Sequence, residues 1–87
     1  MPYVYILRCG DGSLYTGIAK DLGKRLGEHQ AGRASRYTRS HAPVTLVWSQ
    51  EVESWSLALQ EERRIKGLSR VRKEEMVLRD TFRLPES

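Results

Sequence analysis

The chain has 87 residues, of which 39% are hydrophobic, and carries a net charge of +4. That length supports one small core, so residues 1–87 are expected to form a single domain with its ordered part at about 3–80. One cysteine excludes an internal disulfide and fits a reducing, cytoplasmic setting; no apolar run reaches the roughly 18 residues of a membrane helix and no signal peptide is present, which excludes a membrane or secreted protein.

Tyr3-Val4-Tyr5-Ile6-Leu7 and Leu14-Tyr15-Thr16-Gly17-Ile18 read as two strands, over 3–9 and 13–19, joined by Cys9-Gly10-Asp11-Gly12-Ser13. The turn decides how the tyrosines relate. A two-residue turn on Asp11-Gly12 would put Tyr5 and Tyr15 on opposite faces. A three-residue loop with Gly12 in the left-handed region pairs Cys9 with Ser13, sets Tyr5 opposite Gly17 and Tyr15 opposite Leu7, and gives both rings one face. Gly12 suits the bulge position and Gly17 leaves space across from Tyr5, so the three-residue loop is favoured.

Asp21 is a good N-cap, and Leu22 and Leu26 lie four apart, so a helix is predicted over 21–30, ended by Gly32. Residues 32–42 are basic and polar and read as a long surface loop. A third strand, 44–49, follows Pro43. Ser54 or Ser56 caps a helix over about 55–67, ended by Gly67; Ser69 caps another over about 70–80; Pro85 closes a short tail. The order β-β-α-β-α-α is α+β: a small three-stranded antiparallel sheet flanked by helices. Trp48 and Trp55 are expected in the core, and Cys9 as a small buried residue.

Charge is unevenly spread. Lys20, Lys24, Arg25, Arg33, Arg36 and Arg39 stand against only Asp21 and Glu28, a footprint suited to a polyanion. A second set, Arg63 to Lys73, is interleaved with glutamates and reads as a solvated helix face. Tyr37 and His41 lie in the basic loop, where an aromatic ring can stack on a base or anchor the loop.

Several residues break the pattern of a simple core. At about 100° per residue, Trp55, Ala58, Leu59 and Ile65 share an apolar arc that also contains Glu62. A carboxylate there is expected to be ion-paired, with Lys66 or an arginine, or to bind a metal. Arg25 and His29, four apart, share the helix face that carries Leu22 and Leu26, so they turn toward a sheet offering two tyrosines.

Tyr3-Val4-Tyr5, Tyr15-Thr16-Gly17 ten residues on, Arg25, His29 and a later helical Glu62 together resemble the GIY-YIG nuclease domain. With Arg36-Tyr37-Thr38-Arg39 and the run from Ala58 to Lys66, the chain is similar to small stand-alone bacterial members across roughly 3–80. The motifs read Tyr-Val-Tyr and Tyr-Thr-Gly instead of Gly-Ile-Tyr and Tyr-Ile-Gly. The chain has no asparagine, so the one found near the end of many family domains is absent, and no separate DNA-binding domain follows.

The resemblance implies a metal-dependent endonuclease acting on DNA in preference to RNA, in repair or processing, with one Mg²⁺ or Mn²⁺ held by Glu62. Tyr15 would be the base or water-orienting group, Tyr5 its partner, and Arg25 the phosphate ligand, with His29 sharing the proton transfer. Lys24, Arg33, Arg36, Tyr37 and Arg39 would contact nucleic acid. The alternative is a nucleic-acid-binding or adaptor module with a degenerate site on the same fold. One candidate carboxylate agrees with one magnesium, which keeps several waters.

Overall fold

The computed structural model describes residues 1–82; the tail at Pro85 lies outside them. Two strands, β1 (Tyr3–Arg8) and β2 (Leu14–Ala19), precede two helices, α1 (Leu22–Gln30) and α2 (Arg36–Ser40), then β3 (Thr45–Glu51), α3 (Trp55–Lys66) and α4 (Arg70–Phe82). The sheet is antiparallel with order β2-β1-β3. The expected order holds with one addition, the short helix α2 inside the segment read as a loop. Ser35 nucleates it: its hydroxyl accepts from the Thr38 N–H at 3.0 Å, satisfying one of the free donors of the first turn.

The hairpin has the three-residue loop. Cys9 N–H donates to the Ser13 carbonyl at 2.8 Å and Gly12 N–H to the Cys9 carbonyl at 2.9 Å. Gly12 has φ of +88°, a region costly for any residue with a Cβ. The resulting register pairs Tyr5 with Gly17 and Leu7 with Tyr15. Both tyrosines therefore face the same way.

Strand alternation splits the core in two. On the front face Tyr5, Leu7, Cys9, Ala19 and Val44 are buried, with Tyr15, Leu22 and Leu26 packed against them. On the rear, Val4, Ile6 and Trp48 pack with Ala58 and Ile65 of α3 and Met76 and Val77 of α4. Fully burying each large apolar side chain contributes about 1.5–3 kcal/mol, so this rear cluster holds the helices on. A bulge in the β1–β3 pairing sets Ile6 opposite Trp48 but Leu7 opposite Leu46, which lets Val47 as well as Trp48 reach the rear cluster.

Two expectations for α3 fail. Trp55 is 42% exposed and Leu59 40%, so only Ala58 and Ile65 of the arc are core. Trp55 and Leu59 lie on one side of the arc, and α3 is turned so that the other side, Ala58 and Ile65, meets the sheet. The glutamate-rich basic stretch is a solvated face as expected: Arg64 pairs with Glu61 at 2.6 Å, Lys66 with Glu62 at 3.2 Å and Arg70 with Glu74 at 3.5 Å.

Candidate active site

His29 is the buried centre of the front face, 2% exposed. Its Nε2 lies 2.8 Å from the Tyr5 hydroxyl and its Nδ1 2.8 Å from Thr38 Oγ1. Burial first, and then the Arg25 charge, hold the imidazole below its ordinary pKa, so it is neutral at pH 7. Burial first, and then neighbouring Tyr15, push the Tyr5 phenol far above its ordinary value, so it stays protonated. One proton assignment satisfies every group. Tyr5 O–H donates to Nε2, Nδ1–H donates to Thr38, and Thr38 donates onward to the Ser35 carbonyl at a long 3.4 Å. The Tyr5 ring lies directly over Gly17: a Cβ there would sit 2.6 Å from the phenol oxygen.

Tyr15 makes an edge contact with His29, with ring centroids 5.3 Å apart. None of the hydrogen bonds among the described residues uses its hydroxyl, and the ring is half-buried. Tyr37 stacks on Tyr15 at 6.0 Å and on His41 at 4.1 Å, while its hydroxyl donates to Ser13 Oγ at 2.6 Å. It thus anchors α2 to the hairpin loop, one of the two roles expected of it, while staying 40% exposed. His41 completes the latch: its carbonyl accepts from the Gly10 N–H at 2.6 Å, and its Nε2 lies 3.6 Å from Asp11.

Arg25 and Glu62 reach this centre from different layers. Arg25 comes from α1, with 41% of its side chain exposed and a loose 3.4 Å contact to Glu28. Its charge favours ionisation of Tyr5, and that of Glu62 opposes it. Glu62 comes from α3, whose core residues pack on the rear of the sheet. Its charge is nevertheless felt at the Tyr5 phenol. Its carboxylate pairs with Lys66 through Oε2 and is 20% exposed.

Among the described residues no group of three or more His, Cys, Asp or Glu is placed to hold a metal. The donor set still fits a hard divalent cation bound mostly through water. Lys66 engages only Oε2 of Glu62, Oε1 has no hydrogen bond or ion pair among the described residues, and a magnesium ion accepts one carboxylate with several waters. The basic residues divide. Arg33, Arg36 and Arg39 line one open dish at the end of α1. Lys24 lies apart, in a groove with Arg25. Lys24, Arg33, Arg36 and Arg39 form no ion pair among the described residues, whereas Arg25 meets Glu28.

The role of Thr38 escaped the sequence: it stands in the Arg36-Tyr37-Thr38-Arg39 run, but nothing in spacing alone joins it to His29. Arg8 and Glu74 were also missed: a bidentate pair at 2.6 and 2.8 Å that ties β1 to α4 across the chain.

Comparison with known proteins agrees with this fold. Relatives include a UPF0213 protein of Natronomonas pharaonis, 46% identical over 79 residues, covering 91% of this chain and 93% of that one. Another, from Staphylococcus saprophyticus, is 44% identical over 75 residues, with 86% and 92% covered. The solution NMR structure of a UPF0213 protein from Bacillus halodurans superposes with a TM-score of 0.58 at 42% identity, covering 88% of this chain and 83% of that one. The family model of the GIY-YIG catalytic domain matches residues 1–75, from the first tyrosine strand into α4, and the chain therefore belongs to the GIY-YIG family of nuclease domains.

Proposed function

We propose that the chain is a metal-dependent endonuclease that hydrolyses phosphodiester bonds in DNA, in repair or processing, and that residues 1–87 act as one catalytic domain. The observation that carries this reading is the buried hydrogen-bonded row Tyr5–His29–Thr38, with Tyr15, Arg25 and Glu62 gathered around one phenol. A divalent cation, Mg²⁺ or Mn²⁺, would be held by Glu62 and would supply charge stabilisation at the phosphate and leaving oxygen. Buried, reduced Cys9 suits a cytoplasmic setting.

The chain's own residues supply the rest. Arg25 donates to non-bridging phosphate oxygens. Tyr15, whose hydroxyl is uncommitted, orients the attacking water. That water's proton passes to the Tyr5 oxygen as the Tyr5 proton passes to His29 Nε2, while the water oxygen bonds to phosphorus and the ester oxygen leaves and is protonated from solvent. Neutral His29 is the proton acceptor in this scheme, reached through Tyr5 and held in its tautomer by Thr38. A binding or adaptor module would need neither a buried phenol–imidazole pair nor Glu62. The test is a panel of single-stranded, duplex, nicked and branched DNA with and without Mg²⁺ or Mn²⁺. Cleavage by the wild type, lost in Glu62→Ala, is expected; no cleavage of any member would reject the reading.

A further inference from the structure

We propose that Trp55 is a base-stacking residue, and that the groove it forms with α1 binds the nucleotide bordering the scissile phosphate. The inference rests on the nucleic-acid reading above and adds a subsite to it. Trp55 opens α3 and is 42% exposed, whereas Trp48 is 6% exposed in the rear core. An exposed indole of this size is unexplained by packing. It lines a groove with Lys20, Lys24 and Arg25.

The groove is continuous with the candidate active site through Arg25. The same guanidinium that lines it also acts on Tyr5 and His29. On α3, Trp55 and Glu62 are seven residues apart. Two helical turns bring them to one stripe, about 10 Å apart along the axis. The candidate metal ligand thus lies along α3 from the indole, and Arg25 lines the groove at the indole's end.

Charge selects the occupant. Asp21 is committed to capping α1 through the Lys24 N–H at 3.0 Å, and Glu28 faces Arg25. Lys20 and Lys24 have no ion pair among the described residues. A flat aromatic face flanked by two free ammonium groups suits an unstacked nucleobase whose neighbouring phosphates lie on the lysines. Tyr37 already stacks on Tyr15 and His41, whereas Trp55 makes no ring contact among the described residues.

The test uses the intact protein without divalent cation, so that binding is read without turnover. A dye-labelled oligodeoxythymidine reports binding by anisotropy while tryptophan emission reports stacking. The strand is expected to quench the indole in step with the anisotropy change, and heparin, a polyanion without bases, to bind without quenching. Trp55→Phe should remove the quench and keep the affinity. Trp55→Ala should weaken binding by about tenfold or more, with buried Trp48 emission showing an intact core. Saturated binding without quenching, quenching that persists in Trp55→Phe, or unchanged affinity in Trp55→Ala would each overturn the stacking site. The nuclease reading fails separately. Quenching together with no cleavage of any DNA in the panel after Mg²⁺ or Mn²⁺ is added supports the subsite and sinks the enzyme; cutting without quenching does the reverse.

Discussion

His29 is neutral because it is buried and because Arg25 stands near it, and that neutrality suits it to receive a proton. It also links the residue to stability. Its folded pKa lies below the ordinary value of about 6.5. Above pH 6.5 both folded and unfolded chains hold it neutral, and its buried interactions contribute in full. As the pH falls through 6.5 the unfolded chain takes up a proton there before the folded one, so stability declines toward the folded pKa. The melting temperature should therefore drop between about pH 7 and pH 5, and His29→Gln should make that slope shallower; equal slopes would mean that His29 does not titrate on unfolding. Activity should separate the other roles. Glu62→Ala should abolish cation-dependent cleavage with an unchanged melting curve, since its single ion pair with Lys66 is a partly exposed one worth at most about 1 kcal/mol. Tyr15→Phe should lose most turnover with binding nearly unchanged, because its hydroxyl supports no hydrogen bond among the described residues; turnover like the wild type's would reject its role.

At the level of elements, the hairpin was readable in advance because its turn is chemically exacting: Gly12 at φ +88° leaves little choice of register, and register fixes the tyrosine face. Helix α1 was readable from Asp21 and its leucine spacing. Helix α2 was not, because a five-residue helix has too little periodicity to stand out, and its cap and its tie to His29 are tertiary facts. The burial of α3 was over-read for a related reason. Periodicity marks an apolar arc but not which side of it meets the sheet, so Trp55 and Leu59 were expected inside. The candidate site shows the same division. Tyr5, Tyr15, Arg25, His29 and Glu62 were all visible by type and spacing, and loop anchoring was one of two roles open to Tyr37, whereas the tie of Thr38 to His29 depends on how α2 folds back. The hairpin makes its own prediction. In Gly17→Ala the new Cβ meets the Tyr5 oxygen at 2.6 Å and Cζ at 2.7 Å, so the ring must leave its place over β2. We expect a stability loss of about 1–3 kcal/mol by chemical denaturation, and a loss of cleavage larger than that of stability at temperatures where the variant is folded.

Across the whole molecule, the two sheet faces divide their work: the rear holds the apolar core with α3 and α4, and the front holds a polar, buried row closed by α1 and α2. Chemistry and affinity then sit in different places. The arginine dish of Arg33, Arg36 and Arg39 lies beyond the C-terminal end of α1, and the Lys20–Lys24 groove lies at its N-terminal end. A strand crossing the front face between them would meet free cations on both sides of the candidate site. Such contacts release counterions, so the logarithm of the binding constant should fall linearly with the logarithm of salt concentration. For a single strand engaging three to five of these cations, the slope should be about −2 to −4, from about 0.7 per phosphate. Arg36→Ala and Arg39→Ala should each weaken binding and lower the slope's magnitude by about 0.7, without changing the melting curve, because neither side chain forms an ion pair among the described residues. Titrations of fluorescent oligonucleotide at several salt concentrations measure both quantities. A slope near zero, or slopes unmoved by the two substitutions, would remove the dish from the path of the nucleic acid and leave affinity to the groove beside Arg25.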